Sequence, residues 1–136
     1  MSDDSEAGPD LKGMPLGILL ISGTHERAHY AFIVATAAAS VGRAVVVFAT
    51  NDGCRAMAED WSGLAGPGRD AAVREQGVAG LGELRQAAVE LGVRQLVCET
   101  GMRLAALDPA ALSMGVEVAG VATFLNAVRG GQMLSL

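Results

Sequence analysis

The sequence predicts an α/β domain, a three-layer α/β/α sandwich built around a mostly parallel five-stranded sheet. Three observations predict it. Short apolar runs recur along the chain, and a run that is continuously apolar, rather than alternating, marks a strand buried on both faces, as in a parallel sheet covered by helices. Helix-forming stretches separate these runs, which is the alternation that builds layered α/β domains. The length of 136 residues, 51% hydrophobic and 18% charged, suits one domain with a core and is short for two.

The opening residues, MSDDSEAGPDLKG, are acidic, polar and turn-rich, so residues 1–14 are expected to form a flexible acidic tail ahead of a single domain over 15–136. They contain no basic segment followed by an apolar one, and the protein is read as cytoplasmic. The first strand runs from Leu16 to Ser22. Thr24 then serves as N-cap of a helix from His25 to Val41, stopped by Gly42. This helix has almost no polar residue between Ala31 and Ala39 except Thr36. Either it lies deep in the domain or its outer side packs on another subunit, and the latter makes a homo-oligomer the expectation.

The second strand, Ala44 to Ala49, carries the β-branched run Val45-Val46-Val47. Ala28 to Thr50 is apolar overall, but Gly42 and Arg43 interrupt it and its halves differ in kind, so it reads as helix then strand and not as a membrane span. Gly63, Gly66, Pro67 and Gly68 make Ser62 to Arg69 a connecting loop. A helix from Val78 to Leu91 stops at Gly92 and leads into a third strand, Val93 to Cys98. A short helical turn covers Thr100 to Ala106, and Asp108 and Pro109 open a helix to Met114 as cap and first residue. Val116 to Ala119 is the fourth strand, Val121 to Val128 a helix stopped by Gly130, and Met133 to Leu136 the fifth strand.

A net charge of -5 and a pI near 4.9 argue against nucleic acid or an anionic membrane as partner, since both demand basic patches. Two cysteines are too few for a secreted disulfide scaffold and lack metal-ligand spacing. His25-Glu26-Arg27-Ala28-His29 spells the H-E-x-x-H zinc motif, but it occupies the first turn after a strand and the chain holds no third histidine. It reads instead as a polar helix N-terminus, with Glu26 favourable toward the helix dipole. The turn after the first strand lacks G-x-G-x-x-G spacing, and there is neither a P-loop lysine nor a serine nucleophile elbow.

Cys98 remains, at the end of a strand and the start of a helix. Open α/β sheets place ligands at the carboxyl ends of their strands, and free N–H groups at a helix N-terminus favour a thiolate. Thr100, Gly101, Met102 and Arg103 follow it; Arg103 would favour the thiolate and Glu99 would oppose it. Asn51, Asp52, Gly53 and Cys54 follow the second strand at the same sheet edge, as does His25 after the first, so all are candidates to line a pocket around Cys98 or to stabilise its thiolate. The competing reading makes Cys98 a small buried hydrophobe.

The segments Leu91-Gly92-Val93, Val97-Cys98-Glu99-Thr100-Gly101-Met102 and Gly115-Val116-Glu117-Val118-Ala119-Gly120-Val121-Ala122-Thr123-Phe124-Leu125 resemble the DsrE/DsrF-like sulfur-relay family, in particular its peroxiredoxin-like branch. Phe48 to Gly53 is similar to the family's post-strand loop, and Glu26-Arg27-Ala28 to its opening of the first helix. The resemblance runs from about Leu16 to Leu136. It implies a five-stranded α/β/α fold, oligomeric assembly, and a cysteine, here Cys98, that takes sulfane sulfur as a persulfide and passes it to a partner thiol, without metal or organic cofactor. Sulfur donor and acceptor proteins are then the expected partners. Cys54 is outside the family pattern. Two other readings stand beside the relay: a non-catalytic oligomeric module binding a small ligand or protein, and a thiol redox sensor using Cys54 and Cys98. Whether the protein is an enzyme is left open, as it turns on whether a carrier that needs a partner counts as one.

Overall fold

The computed structural model describes residues 13–136. It contains strands β1 (Leu16–Leu20), β2 (Val45–Ala49), β3 (Arg94–Cys98), β4 (Val116–Ala119) and β5 (Gln132–Ser135), and helices α1 (His25–Ser40), α2 (Arg69–Glu75), α3 (Leu81–Glu90), α4 (Glu99–Leu104) and α5 (Val121–Ala127). The sheet order is β4-β3-β2-β1-β5, and every neighbouring pair is parallel. All five expected strands form. The expected tail falls almost wholly on residues 1–12, outside the described residues; Gly13 and Met14 are tied to the domain by Gly13 N–H to Gly42 O at 3.2 Å and Arg43 Nε to Met14 O at 3.0 Å.

Alternation sends one set of strand side chains to each face. Ile18, Leu20, Val45, Val47 and Val97 join Phe32, Ala35 and Leu81 in the larger core, under α1 and α3. Val46, Phe48 and Leu96 meet Phe124 and Val128 in a smaller core under α5. Gly17 permits that second packing, since a Cβ there would stand 2.7 Å from Val128 Cγ1. One side of α1 is covered within the chain, where His25, Ala28, Ala31, Phe32 and Ala35 are all fully buried, while on its outer side Ile33 is half-buried and Ala37 exposed. The second helical layer is thin, so burial on both faces, expected for every strand, fails at the edges. Val118 on β4 and Met133 on β5 are 46% and 48% exposed.

Caps fall where the sequence places them. Thr24 accepts the Arg27 N–H at 3.2 Å, Asp108 accepts that of Ala110 at 2.8 Å, and Gly42, Gly92 and Gly130 take positive φ after their helices. Several elements differ. The helix expected from Val78 begins only at Leu81, because Gly77 turns the chain with φ +79° and Gly80 N–H is held by Glu83 Oε1 at 2.9 Å. The helix expected over Pro109 to Met114 is a single 3-10 turn, Pro109–Ala111; Leu112 then pairs with Ala58, and Ser113 N–H reaches Met57 O at 2.9 Å. After the loop comes an unexpected helix, α2. Its only buried residue is Asp70, so it carries no apolar stripe to reveal it.

Candidate functional site

Cys98 ends β3 and is itself the N-cap of α4, its Sγ accepting the Gly101 N–H at 3.5 Å. The sulfur is a free thiol, half-buried, and packs on the α5 side of the sheet. Gly101 and Met102 are buried beside it. A Cβ at Gly101 would lie 2.6 Å from Asn51 N and 2.9 Å from Cys54 Sγ, so only glycine lets α4 rest on the 3-10 helix Asn51–Met57. Asn51 opens that helix at φ +52°, a left-handed conformation asparagine tolerates. Gly53 fits against the main chain at Leu20, with its N–H on Ile21 O at 3.1 Å.

Cys54 sits in the larger core with no exposure, its thiol directed at Ala49 O at 3.6 Å. Burial, aided by the neighbouring Cys98 charge, pushes this thiol up to about 11. The two cysteines are therefore neighbours in different settings: Cys98 is partly open on one face of the sheet, and Cys54 is sealed in the core of the other. Thr100, Arg103 and Asp52 remain at the surface. Arg103 is drawn to Glu99 on its own helix at 3.8 Å, and Asp52 to Arg55 at 3.8 Å. A hollow of about 260 Å³ lies beside α4, bounded by Met102, Leu107 and Val118.

His25 belongs to another cluster. Its ring is fully buried, with Nε2 2.8 Å from Asp70 Oδ1, Nδ1 3.5 Å from Arg69 Nη1, and stacking on His29 at 5.4 Å. His29 Nε2 in turn meets Ala79 O at 2.8 Å, so both imidazoles of the apparent zinc motif have protein partners. Among the described residues, no three His, Cys, Asp or Glu side chains are grouped to hold a metal ion. Asp70 also accepts the Leu81 N–H at 2.7 Å. Burial raises the Asp70 carboxyl, but the Leu81 and His25 hydrogen bonds outweigh it and hold the group below the usual carboxylate range.

Sequence reasoning passed over Arg85, which is 93% buried by its 7% exposure. Its Nη1 donates to Ala56 O at 2.9 Å and to Ala58 O, and its Nη2 to Glu59 O at 3.3 Å. Burial lowers its proton affinity, partly offset by Glu59. The signal was present: Leu81, Arg85 and Ala88 recur at helical spacing on the buried side of α3, which puts a cation in an apolar stripe.

A family model described as the DsrE/DsrF-like family matches residues 14–134. The chain belongs to that family. DsrE/DsrF-like membership agrees with the structural likenesses. The YchN protein from E. coli superposes with a TM-score of 0.70 at 13% identity, covering 90% of this chain and 99% of that one. A protein of unknown function, MTH1491 from Methanobacterium thermoautotrophicum, gives a TM-score of 0.55 at 15% identity, covering 90% and 98%. At these identities the likeness is one of fold. No curated protein matches. Among the described residues no helix is long and apolar enough to cross a membrane.

Proposed function

We propose that the protein is a sulfur carrier of sulfurtransferase type, passing sulfane sulfur through a persulfide on Cys98. The observation that carries this reading is the free, half-buried Cys98 sulfur at the strand-to-helix junction of a DsrE/DsrF-like chain, with the Gly101 N–H on it. In the first step the Cys98 thiolate attacks the outer sulfur of a donor persulfide; the new S–S bond forms as the donor's breaks, and the donor leaves as a thiolate. An acceptor thiolate then attacks the outer sulfur of the Cys98 persulfide and releases the Cys98 thiolate. No net electron is gained or lost, and neither a metal nor an organic cofactor takes part. Gly101 and Met102 support the thiol from α4, with Asn51, Gly53 and Cys54 packed behind that helix; Thr100 and Arg103 face the approaching partner. Donor and acceptor are proteins presenting thiols, met in the reducing cytoplasm. Assembly into a homo-oligomer is supported by the apolar surface beside the thiol, where Val121 and Leu125 are 53% and 50% exposed.

The test is intact mass measurement of wild type and Cys98→Ser after treatment with a small-molecule polysulfide, with peptide mapping. One added sulfur on the Cys98 peptide, missing in the variant, is the expected result. A folded wild type that takes up no sulfur there, or takes it only on Cys54, overturns the relay.

A further inference from the structure

A cavity of about 540 Å³ lies between α3 and the chain entering β4, on the α1/α3 side of the sheet and with none of the cysteines on its wall. Its size is within the range of small-ligand sites. Arg85 and Gln95 line it, and both are more than nine-tenths buried, at 7% and 3% exposure. Gln95 occupies an inward β3 position between Val93 and Val97, where the core calls for an apolar residue. Every hydrogen bond of Arg85 goes to a main-chain carbonyl, and among the described residues its buried Nε has no acceptor. Among the described residues the guanidinium is hydrogen-bonded to no carboxylate, the Glu59 charge acting on it only through space, and it lines the same wall as a core amide. Trp61 and Met114 supply apolar surface, and the exposed carboxylates of Glu59 and Glu90 add negative charge at the rim.

We propose that this cavity binds a small zwitterion of the amino-acid kind, its carboxylate directed to Arg85 and Gln95, its ammonium to Glu59 and Glu90, and its apolar side chain to Trp61 and Met114. The polarity of the wall sets the choice. A buried cation calls for a carboxylate, whereas two rim carboxylates repel a multiply charged anion and attract an amine. The site is independent of the relay through Cys98.

Trp61 is the sole tryptophan and lies on the cavity wall, so its emission reports occupancy directly. L-Phenylalanine, 3-phenylpropionate, 2-phenylethylamine and inorganic phosphate are titrated against the full chain. The expected result is a saturable change with L-phenylalanine at a dissociation constant of about 1 mM or tighter, and binding at least about tenfold weaker for each single-charge fragment and for phosphate. Gln95→Leu, which keeps the core filled, weakens L-phenylalanine about tenfold, and Glu90→Gln weakens L-phenylalanine but not 3-phenylpropionate. Cys98→Ser binds as wild type. Absence of a saturable change, equal binding of the fragments, preference for phosphate, or loss of binding in Cys98→Ser each overturns the proposal.

Discussion

Cys54 and Cys98 share one corner of the fold and differ in what surrounds their sulfur. For Cys54 the consequence is a pH dependence of stability. The folded chain holds its proton until about pH 11, while the ordinary value is 9.0. Between these values the folded state binds more protons than the unfolded one, so this contribution is full below pH 9 and declines as pH rises toward 11. Urea unfolding across that window should show a loss of up to about 1.4 kcal/mol per pH unit in wild type, with the slope reduced in Cys54→Ala. Equal slopes would refute the assignment. The position of Cys98 was legible because a strand run ending at a helix start fixes the junction. The inward orientation of Cys54 was not, since a post-strand segment identifies a sheet edge and leaves the facing of each side chain to the turn. The 3-10 helix Asn51–Met57 makes that decision. His25 illustrates the same limit: its place after β1 is right, yet its partner Asp70 comes from a helix that no pattern announced.

At the scale of elements, α2 is joined to the rest through a carboxylate. Asp70 is its only buried residue and receives both His25 and the Leu81 N–H. Asp70→Ala should cost about 1–3 kcal/mol by leaving a buried donor unmet, and should speed amide exchange across residues 69–77 ahead of the strands. Because the Asp70 carboxyl is held low, its contribution is present above the ordinary carboxylate range and lost as pH falls through the lowered value. Asp70→Asn should therefore flatten the acid limb of the stability curve, and an unchanged limb counts against the anchor. The strands and the long helix α1 were legible from apolar runs and caps. The short pieces were not, because α2 and the turn at Pro109–Ala111 are fixed by tertiary hydrogen bonds and bury too little to leave a periodic trace.

Among the described residues, one sheet face is well covered and the other is covered by α5 alone. Val121 and Leu125, one turn apart on α5, are exposed together with Val118 and Met133. Light scattering should find a defined assembly larger than the monomer, and Leu125→Lys should dissociate it while preserving the circular dichroism of the fold. A monomeric wild type at working concentration would count against assembly. The layered architecture was legible as a whole because five apolar runs and the helices between them allow few arrangements. The unequal thickness of the two layers was not, since an apolar strand reads the same whether a helix or a neighbouring subunit is to cover it.

The β1–β5 pairing joins Leu16–Leu19 to Gln132–Ser135, segments from opposite ends of the described chain. Synthesis delivers β5 after the other four strands, so β1 leaves the ribosome long before its outer neighbour exists. During that interval β1 has one ladder filled by β2 and the other bare. Contacts so distant along the chain form slowly. The nascent protein thus exposes an open apolar strand edge until β5 has been made, which is the period in which chaperone occupancy and mispairing between neighbouring polysome chains compete.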